Sequence, residues 1–420
     1  MLPEVTVIVL NFNGRDYLGA CLDSLLALDY PRDRLELLVV DNGSVDGSAA
    51  FVRQAYPDVR LLELPDNRGF AAGNNAGAQA ARGTYLAFLN NDMRVDPRWL
   101  IEMVEAIQTA DDVVSVGARI LTWDGSGIDF VGGTLNFYGM GFQPEDMVKA
   151  SEGVHEVLFA CGGAMLIRRD IFLESGGFDE SFFAYFEDVD LGWRLWVLGY
   201  RVLLAPRAVA YHRGHATGKK FEVERRALLY ERNALAAILK NYGDETLSRV
   251  LPAALLLTAR RAVMTSGLDK RQFRMETQPR PSTLWPPSNE PPPLAEGQMR
   301  RELEMLLREY GLWAVSKEIV RRILRFFYVR SVYQIKRDIV FVPRASMSPL
   351  LALDDIADMM PAIWAQREAI QAQRRRSDAE ILPLFGNPFH PHPPDPAYLA
   401  LQQRLVEIFH IDSLFPAGER

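Results

Sequence analysis

The first part of the chain alternates between short apolar strands and amphipathic helices, and this alternation constrains the fold more than any other feature. Residues 5–10 (VTVIVL) form a β-branched run that is typical of a strand buried on both faces. Further strands are predicted at 35–41, 59–64, 85–90 and 113–117, with helices at 17–28, 47–56, 69–82 and 97–109 between them. Strands that alternate with helices of this length predict an α/β fold with a mostly parallel sheet flanked by helices.

Polar side chains gather directly after the predicted strands. They are Asn11 and Asn13 after the first strand, Asp41, Asn42 and Ser44 after the second, Asn67 and Arg68 after the third, and Asn90, Asn91 and Asp92 after the fourth. One such cluster is ordinary turn chemistry. The carboxyl ends of parallel strands meet at one edge of a sheet, however, and α/β proteins bind their ligands there. The repetition therefore predicts one shared binding site along this edge.

Composition and charge exclude several classes of protein. The 420 residues carry a net charge of −7 and are 48% hydrophobic and 24% charged, as in globular rather than disordered chains. Residues 1–240 contain 23 Lys and Arg against 33 Asp and Glu, whereas residues 241–420 contain 24 against 21. The acidic first part does not attract nucleic acid, so a phosphate ligand there would require a metal ion or backbone N–H donors.

The cellular location is predicted from the small number of cysteines and from the lack of apolar segments long enough to cross a membrane. The two cysteines, Cys21 and Cys161, are too few for a disulfide-stapled secreted fold. No run approaches the roughly 20 apolar residues of a transmembrane helix, and the residues before Val5 do not resemble a signal peptide. We therefore expect a cytoplasmic protein.

The common phosphate-binding motifs are missing from the sequence. It contains no G-x-x-x-x-G-K-[ST], and the first strand ends in NFNGRDYLG instead of G-x-G-x-x-G. Gly69, Gly73 and Gly77 repeat every four residues in RGFAAGNNAG. They indicate a helix that lies close to the sheet, a helix start that faces a nucleotide together with Arg68, or both.

Six blocks of sequence resemble the family 2 glycosyltransferases of the GT-A fold, and in particular their bacterial rhamnosyltransferase-like branch. The blocks are LNFNGRDYL, VVDNGSVDGS, NRGFAAGNNAG, FLNNDMRVDPRWL, the segment from FACGG to GYRV, and AYHRGHA. They cover about residues 4–240. The resemblance implies a Rossmann-like sheet and an enzyme of the hexosyltransferase type. Such an enzyme would move a sugar from a UDP- or dTDP-sugar to a glycan or lipid-linked acceptor, in the synthesis of cell-surface polysaccharide or glycolipid.

The resemblance also implies which residues bind the nucleotide. They are Leu10, Asn11, Asn13, Asp41, Asn42, Arg68, Asn75 and Asn91. Asp41 would accept a hydrogen bond from the base or the ribose, the backbone around Leu10 and Asn11 would flank the base, and Arg68 would contact the diphosphate or the base.

A divalent metal ion is implied at the end of the fourth strand. The family usually carries D-x-D there, whereas this chain has Asn90-Asn91-Asp92, so Asp92 keeps the single carboxylate. His212 matches a histidine that relatives use as a second metal ligand. Oxygen ligands suit Mg²⁺ or Mn²⁺, and substrate phosphates and water can complete the coordination. A mixed Asp and His site favours Mn²⁺ of the two.

A second acidic cluster, Glu187-Asp188-Val189-Asp190, is implied to supply the catalytic base. The family's base is the Asp of the Glu-Asp pair, hence Asp188 with Glu187 beside it. A single base opposite the leaving group implies inversion at the anomeric carbon. The alternative is that these carboxylates cap the helix that follows. The sugar and acceptor side is assigned to Gly162, Gly163, Asp179 and Trp193.

The length of the chain predicts two domains, and the resemblance ends near residue 240. We assign residues 1–240 to the glycosyltransferase domain and 241–420 to a mainly α-helical C-terminal region with Pro-rich linkers at 278–293 and 383–396. A basic amphipathic pattern at 319–341 fits peripheral contact with the inner face of the membrane, and it equally fits internal packing or a homodimer interface.

Two other functions fit parts of the sequence. A sugar nucleotidyltransferase has a similar sheet but needs a Gly- and Arg-rich loop after the first strand, which NFNGRDYL does not provide. A degenerate, non-catalytic nucleotide-binding or assembly subunit would explain the change from D-x-D to Asn90-Asn91-Asp92.

Overall fold

The computed structural model describes residues 2–143, 153–214, 223–267 and 343–415. Residues 1–263 and 344–420 form one compact unit, and residues 264–343 form a second. The architecture below is that of the first unit. The predicted linker at 278–293 and the basic pattern at 319–341 lie outside the described residues.

Strands and helices alternate through the first half of the chain, as predicted. The described strands are β1 (Val5–Asn11), β2 (Leu35–Asn42), β3 (Arg60–Leu64), β4 (Tyr85–Asn90), β5 (Met93–Val95), β6 (Val113–Thr122), β7 (Ile128–Phe130), β8 (Thr134–Leu135), β9 (Gly141–Phe142), β10 (His155–Glu156), β11 (Ala164–Arg168) and β12 (Arg201–His212). The described α-helices are α1 (Arg15–Leu26), α2 (Ser48–Ala55), α3 (Gly69–Ala80), α4 (Trp99–Ile107), α5 (Arg169–Glu174), α6 (Glu187–Val197), α7 (Val223–Asn241), α8 (Asp244–Ser266), α9 (Arg344–Ala372), α10 (Asp378–Ile381) and α11 (Pro396–Ile408).

One large sheet organises the fold, in the order β10-β12-β6-β11-β4-β1-β2-β3. β1 lies between β2 and β4 and is parallel to both. β11 lies between β4 and β6 and is antiparallel to both, while β12 runs parallel to β6. The α/β fold is confirmed, but the sheet is mixed. The parallel pairing that was expected is found among β1 to β4 and between β6 and β12, whereas β11 runs antiparallel to both of its neighbours. Residue periodicity does not encode the direction of a strand.

The first strand and the glycine-rich helix explain the tight packing at the centre of the sheet. Val7, Ile8 and Val9 are buried, so both faces of β1 are covered. On α3, a Cβ atom at Gly73 would lie 2.5 Å from Leu10 Cδ1, and one at Gly77 would lie 2.8 Å from Ile8 Cγ2. The glycine repeat therefore lets α3 lie directly on β1, which confirms the close-packing interpretation.

The C-terminal region is helical, as predicted, and its helices pack in the first unit. α9 lies along α7, and α7 packs against α6. Arg367 on α9 donates to the carbonyls of Leu239 (2.7 Å) and Tyr242 (2.6 Å) at the C-terminal end of α7. Compact packing thus continues past residue 240. The division there was drawn from resemblance and charge, and it stays a prediction.

The Pro-rich segment 383–396 lies against the part of the chain that precedes β9. The backbone N–H of Phe137 donates to the carbonyl of Pro388 (2.8 Å), and Asn136 Nδ2 donates to the carbonyl of His390 (3.0 Å). The segment leads into α11, whose first turn is capped by Asp395. Among the described helices, none combines the length and the hydropathy that crossing a bilayer requires.

Candidate active site

The carboxyl ends of β1 and β2 bring Asn11 and Asp41 together. The strand register places them side by side, and Asn11 Nδ2 donates to Asp41 Oδ1 at 3.0 Å. Asp41 is 4% exposed, and its other oxygen accepts from the backbone N–H of Ser44 at 3.1 Å. Both carboxylate oxygens are therefore fixed, and each keeps lone pairs for a ligand.

The loops after β1 and β2 are joined by side chains. The backbone N–H of Asn13 donates to Ser44 Oγ at 2.9 Å, and Asn13 Oδ1 accepts from the backbone N–H of Val45 at 2.8 Å. Asn13 has a φ of 49°, a left-handed conformation that Asn adopts more readily than most residues. Leu10 is half-buried and faces α3.

Asn91 extends this network to the end of β4. Its Nδ2 donates to Asn11 Oδ1 at 2.7 Å, and the two side chains are buried. Asn91, Asn11 and Asp41 thus form one hydrogen-bonded chain across three neighbouring strand ends. The structure brings together three of the positions that the sequence predicts for nucleotide binding. We call the group of Asn11, Asn13, Asp41, Ser44 and Asn91 the nucleotide edge.

Asn42 organises the turn before α3. Asn42 Nδ2 donates to the carbonyl of Gly69 and to Asn67 Oδ1, both at 3.0 Å, and Asn42 Oδ1 accepts from the backbone N–H of Arg68 at 3.0 Å. Its amide is therefore used to hold this turn. The Arg68 side chain is half-exposed and lies 3.7 Å from the Glu180 carboxylate.

Asn75 lies away from the nucleotide edge, contrary to its predicted role. Its Nδ2 donates to the carbonyl of Phe178 at 2.8 Å, and its Oδ1 accepts from the backbone N–H of the same residue at 3.0 Å. A contact of 3.2 Å to Glu180 Oε1 uses the remaining donor. Both N–H groups of the amide are therefore used by the 178–180 loop, and Asn75 fixes that loop.

Asp92 and His212 meet because β5 pairs with β12. The register sets Met93 beside His212, and His212 Nε2 lies 3.4 Å from Asp92 Oδ2. His212 Nδ1 lies 2.6 Å from Asp129 Oδ2, a carboxylate that the sequence analysis missed. Burial lowers the pKa of His212, but the hydrogen bonds and charges of Asp129 and Asp92 outweigh it and raise that pKa to about 9.

The side chains of Asp92 and His212 fit part of a metal site. Among the described residues, no three or more His, Cys, Asp or Glu side chains are grouped so as to hold a metal ion. Asp92 and His212 offer one oxygen and one nitrogen side by side, and Asp129 would orient the imidazole through its other nitrogen. This pair fits a divalent ion whose remaining ligands come from phosphate oxygens and water, an arrangement that Mg²⁺ commonly adopts.

Asp188 is held at the start of α6 by two backbone donors. Its Oδ2 accepts from Gly162 N at 2.9 Å, and its Oδ1 accepts from Val189 N at 2.8 Å. A Cβ atom at Gly162 would lie 3.3 Å from both Asp188 and Phe70, so a glycine permits this approach. Burial raises the pKa of Asp188, and these hydrogen bonds oppose the rise. Asp188 as a whole residue is half-buried.

The backbone of Gly162 and Gly163 connects Asp188 with the end of β4. Gly162 N reaches Asp188, and the carbonyl of Gly163 accepts from the backbone N–H of Asn90 at 2.9 Å. Asn91 and Asp92 follow directly in the chain. Gly162 and Gly163 therefore link the candidate base Asp188 to Asn90. The next two residues are Asn91 of the nucleotide edge and the candidate metal ligand Asp92.

Glu187 is a buried carboxyl group beside the candidate base. It is 5% exposed, and its Oε2 has no hydrogen-bond partner in the part of the chain that the structure describes. Burial and the charge of Asp188 raise the pKa of Glu187 well above its ordinary value. This environment therefore opposes the charged form of Glu187 more strongly than that of Asp188.

Asp190 and Asp179 share a lysine. Lys240 on α7 is 2% exposed, and its Nζ lies 2.6 Å from Asp179 Oδ2 and 2.9 Å from Asp190 Oδ2. Burial raises the pKa of Asp179, but the charge and hydrogen bond of Lys240 outweigh it and lower that pKa to about 2. The structure thus places Asp179, predicted on the sugar side, in a buried ion pair.

Trp193 lies in the protein core. It is fully buried and packs edge-on against Tyr242 at 4.6 Å and Phe385 at 5.1 Å between ring centroids. It offers no surface to a sugar, contrary to the predicted role. The C-terminal residues that surround it could not be placed there from sequence spacing.

Comparison with known proteins finds a family match for the first part of the chain. Residues 6–176 match the family described as Glycosyl transferase family 2. The O-antigen biosynthesis protein RfbC of Myxococcus xanthus is 34% identical over 228 residues, which are 51% of this chain and 18% of that protein. The N-acetylglucosaminyl-diphospho-decaprenol L-rhamnosyltransferase of Mycobacterium tuberculosis is 29% identical over 248 residues, which are 52% of this chain and 79% of that protein.

A solved structure has the same fold. GalNAc-T7 with UDP, GalNAc and Mn²⁺ matches with a TM-score of 0.50 and 16% identity, over 65% of this chain and 53% of that one. Residues 6–176 therefore match glycosyltransferase family 2, in agreement with the family inferred from the six sequence blocks, and the chain has the GT-A fold.

Proposed function

We propose that the chain is an inverting glycosyltransferase that moves a sugar from a nucleoside diphosphate to an acceptor hydroxyl, in the synthesis of cell-surface polysaccharide or glycolipid. The observation that carries this proposal is the link between Asp188, Gly162-Gly163 and Asn90-Asn91-Asp92. It joins a candidate base, a donor-binding edge and a pair of metal-binding side chains within one region of the sheet.

Asp188 is the proposed general base. Its carboxylate takes the proton of the acceptor hydroxyl while that oxygen attacks the anomeric carbon, and the bond from this carbon to the diphosphate oxygen breaks. Attack opposite the leaving group inverts the anomeric carbon. The rise in the pKa of Asp188 that burial causes makes this carboxylate a stronger base.

The nucleotide edge is proposed to hold the donor. Asp41 accepts from an N–H of a pyrimidine base or from a ribose hydroxyl, and Asn11 and Asn91 keep its carboxylate in place. Asp92 and His212 would hold a divalent metal ion, which offsets charge on the leaving diphosphate when bound. Mn²⁺ in the GalNAc-T7 structure and UDP beside it support a metal and a UDP- or dTDP-sugar for this chain.

The acceptor is proposed to be a glycan or a lipid-linked sugar. The names of the Mycobacterium rhamnosyltransferase and of the O-antigen biosynthesis protein support this class. A position at the inner face of the membrane and a homodimer both stay predictions, because residues 319–341 lie outside the described part of the chain.

Two measurements test the proposal. Thermal shift with UDP-, dTDP- and GDP-sugars, with and without Mn²⁺, should find one donor that stabilises the protein by mass action and more strongly with the metal. Release of nucleotide from that donor should then be metal-dependent and should be lost in Asp188→Asn. If no pyrimidine nucleotide changes the melting temperature, the proposed donor class is wrong.

A non-catalytic nucleotide-binding subunit is the second candidate function. The observation that favours it is Asn90-Asn91-Asp92, in which the amide of Asn91 bonds to Asn11 and a single carboxylate remains. This candidate predicts the same thermal shift with pyrimidine nucleotides but no release of nucleotide from any donor, with or without acceptor.

A further inference from the structure

The loop that leads into the candidate base has an unusual backbone. Phe183, Tyr185 and Phe186 have φ values of 63°, 69° and 69°. Side chains larger than hydrogen make this region unfavourable, and three such residues within four positions are rare. Asp188 follows two residues later. The conformation persists only if contacts outside the loop hold it.

A single buried side chain on α7 provides three of those contacts. Asn233 is fully buried, and its Nδ2 lies 3.1 Å from the carbonyl oxygen of Phe182, 3.0 Å from that of Ala184 and 2.7 Å from that of Tyr185. Three carbonyls therefore converge on one amide. Asn233 Oδ1 accepts from Arg232 Nε at 2.9 Å, which fixes the orientation of the amide.

The opposite side of the loop is bound to the start of α3. The carbonyl of Phe183 accepts from the backbone N–H groups of Phe70 at 2.6 Å and Ala71 at 3.3 Å. These belong to the first turn of α3, where N–H groups have no partner within the helix. The loop is thus held between α3, which follows the nucleotide edge, and α7, which lies outside the residues matched to the family.

We propose that Asn233 is a positioning residue for the base Asp188. Asn233 binds three carbonyls and thereby holds the strained 183–186 loop against α3. The position of this loop determines where α6 begins, and therefore where the carboxylate of Asp188, the second residue of α6, points. The inference rests on the proposed function for the role of Asp188 as base. Asn233 itself is buried and does not touch the reacting atoms.

Asn241 provides a matched control on the same helix. It is also fully buried, and its Nδ2 donates to Asp190 Oδ1 and to the carbonyl of Ala237, without contact to the 183–186 loop. Asn233→Ala and Asn241→Ala each remove one buried amide, so both should lower the melting temperature. Only Asn233→Ala should lower kcat, by about 100-fold for a displaced base, with the KM for the donor nearly unchanged.

A second substitution tests whether backbone strain is the cause. Glycine adopts positive φ without a steric penalty, so Tyr185→Gly should recover at least about tenfold of the kcat of Asn233→Ala. Tyr185→Gly placed in Asn241→Ala should give no such recovery. Equal kcat values in Asn233→Ala and Asn241→Ala would overturn the proposal.

Amide hydrogen exchange gives a readout that does not depend on turnover. The backbone N–H groups of Gly162 and Val189 donate to Asp188, so both should exchange at least tenfold faster in Asn233→Ala and at the wild-type rate in Asn241→Ala. Unchanged exchange in Asn233→Ala would overturn the positioning role. A wild-type protein without turnover on any donor would instead overturn the proposed function and leave this exchange test valid.

Discussion

The nucleotide edge and the loop around Asp188 are built in opposite ways. At the nucleotide edge, side chains that end neighbouring strands bond to one another, as Asn91 does to Asn11 and Asn11 to Asp41. Around Asp188, side chains from the distant helix α7 bond to backbone carbonyls and buried carboxylates. A binding edge can therefore follow from strand order alone, whereas the position of the base depends on a helix that comes later in the chain.

Asp188→Asn should separate the two regions most strongly. The amide keeps the shape of the side chain but cannot accept the acceptor's proton, so transfer should fall by about 10³-fold, within the range for general bases. The nucleotide edge is untouched, and the thermal shift with the donor should keep its wild-type size. A transfer rate within tenfold of wild type would show that another group acts as base.

Lys240→Met should destabilise the region around Asp188 by removing the lysine that pairs with Asp179 and Asp190. Removing the ammonium leaves Asp179 buried without its cation and Asp190 with Arg194 as its remaining cation, which should lower the free energy of unfolding by about 3 kcal/mol. Urea denaturation measures this change. Adding Asp179→Asn and Asp190→Asn to the same chain should recover part of it, because the uncompensated charges are then gone.

The same ion pair predicts a dependence of stability on pH. The pKa of Asp179 is lowered from 3.8 to about 2 in the folded protein, so its stabilisation is complete above pH 4 and is lost as pH falls from about 4 to 2. This group should contribute about 2 kcal/mol over that window. In Lys240→Met the contribution of Asp179 should be absent, and equal acid profiles of the two proteins would contradict the assignment.

Asp41→Asn should act on the nucleotide edge alone. Loss of a charged acceptor costs about 1.5–3 kcal/mol per hydrogen bond, so affinity for the donor nucleotide should fall by about 10- to 100-fold, measured by calorimetry. Asp46→Asn is the control, because Asp46 caps the start of α2 through Ser48 and lies on the same loop. Equal affinities in the two variants would argue against a nucleotide contact at Asp41.

Gly69→Ala should affect both regions, with a smaller effect than the substitutions above. Gly69 has a φ of 83°, and a Cβ atom there would lie 2.6 Å from the carbonyl oxygen of Phe183. We expect a loss of about 1–2 kcal/mol in stability together with a lower kcat. Gly19→Ala lies inside α1 with its nearest contact at 3.8 Å, and it should stabilise the protein slightly.

Sequence reasoning was most successful where local patterns determine position. Asn11, Asp41 and Asn91 follow predicted strands, and parallel neighbours bring strand ends together. The family blocks directed attention to His212, whose meeting with Asp92 depends on a short strand, β5, that periodicity did not reveal.

Sequence reasoning failed where position depends on contacts between distant parts of the chain. Asp129 reaches His212 across 83 residues of sequence, and no local signal marks it. Asn75 and Trp193 were assigned to ligands because they stand in the family blocks, yet one binds a loop and the other packs against the C-terminal region. Asn233 is separated by about 50 residues from the carbonyls that it holds.

The carbonyl of Phe183 also affects where an anionic ligand can bind. The N-terminus of a helix is a favourable place for an anion, but here the first N–H groups of α3 are already bonded to that carbonyl. A phosphate near the start of α3 would therefore contact the side chain of Arg68 and not these helix N–H groups. The guanidinium of Arg68 is half-exposed and lies beside Glu180. The attraction there is therefore set by flexible charged side chains, and it should weaken as ionic strength rises.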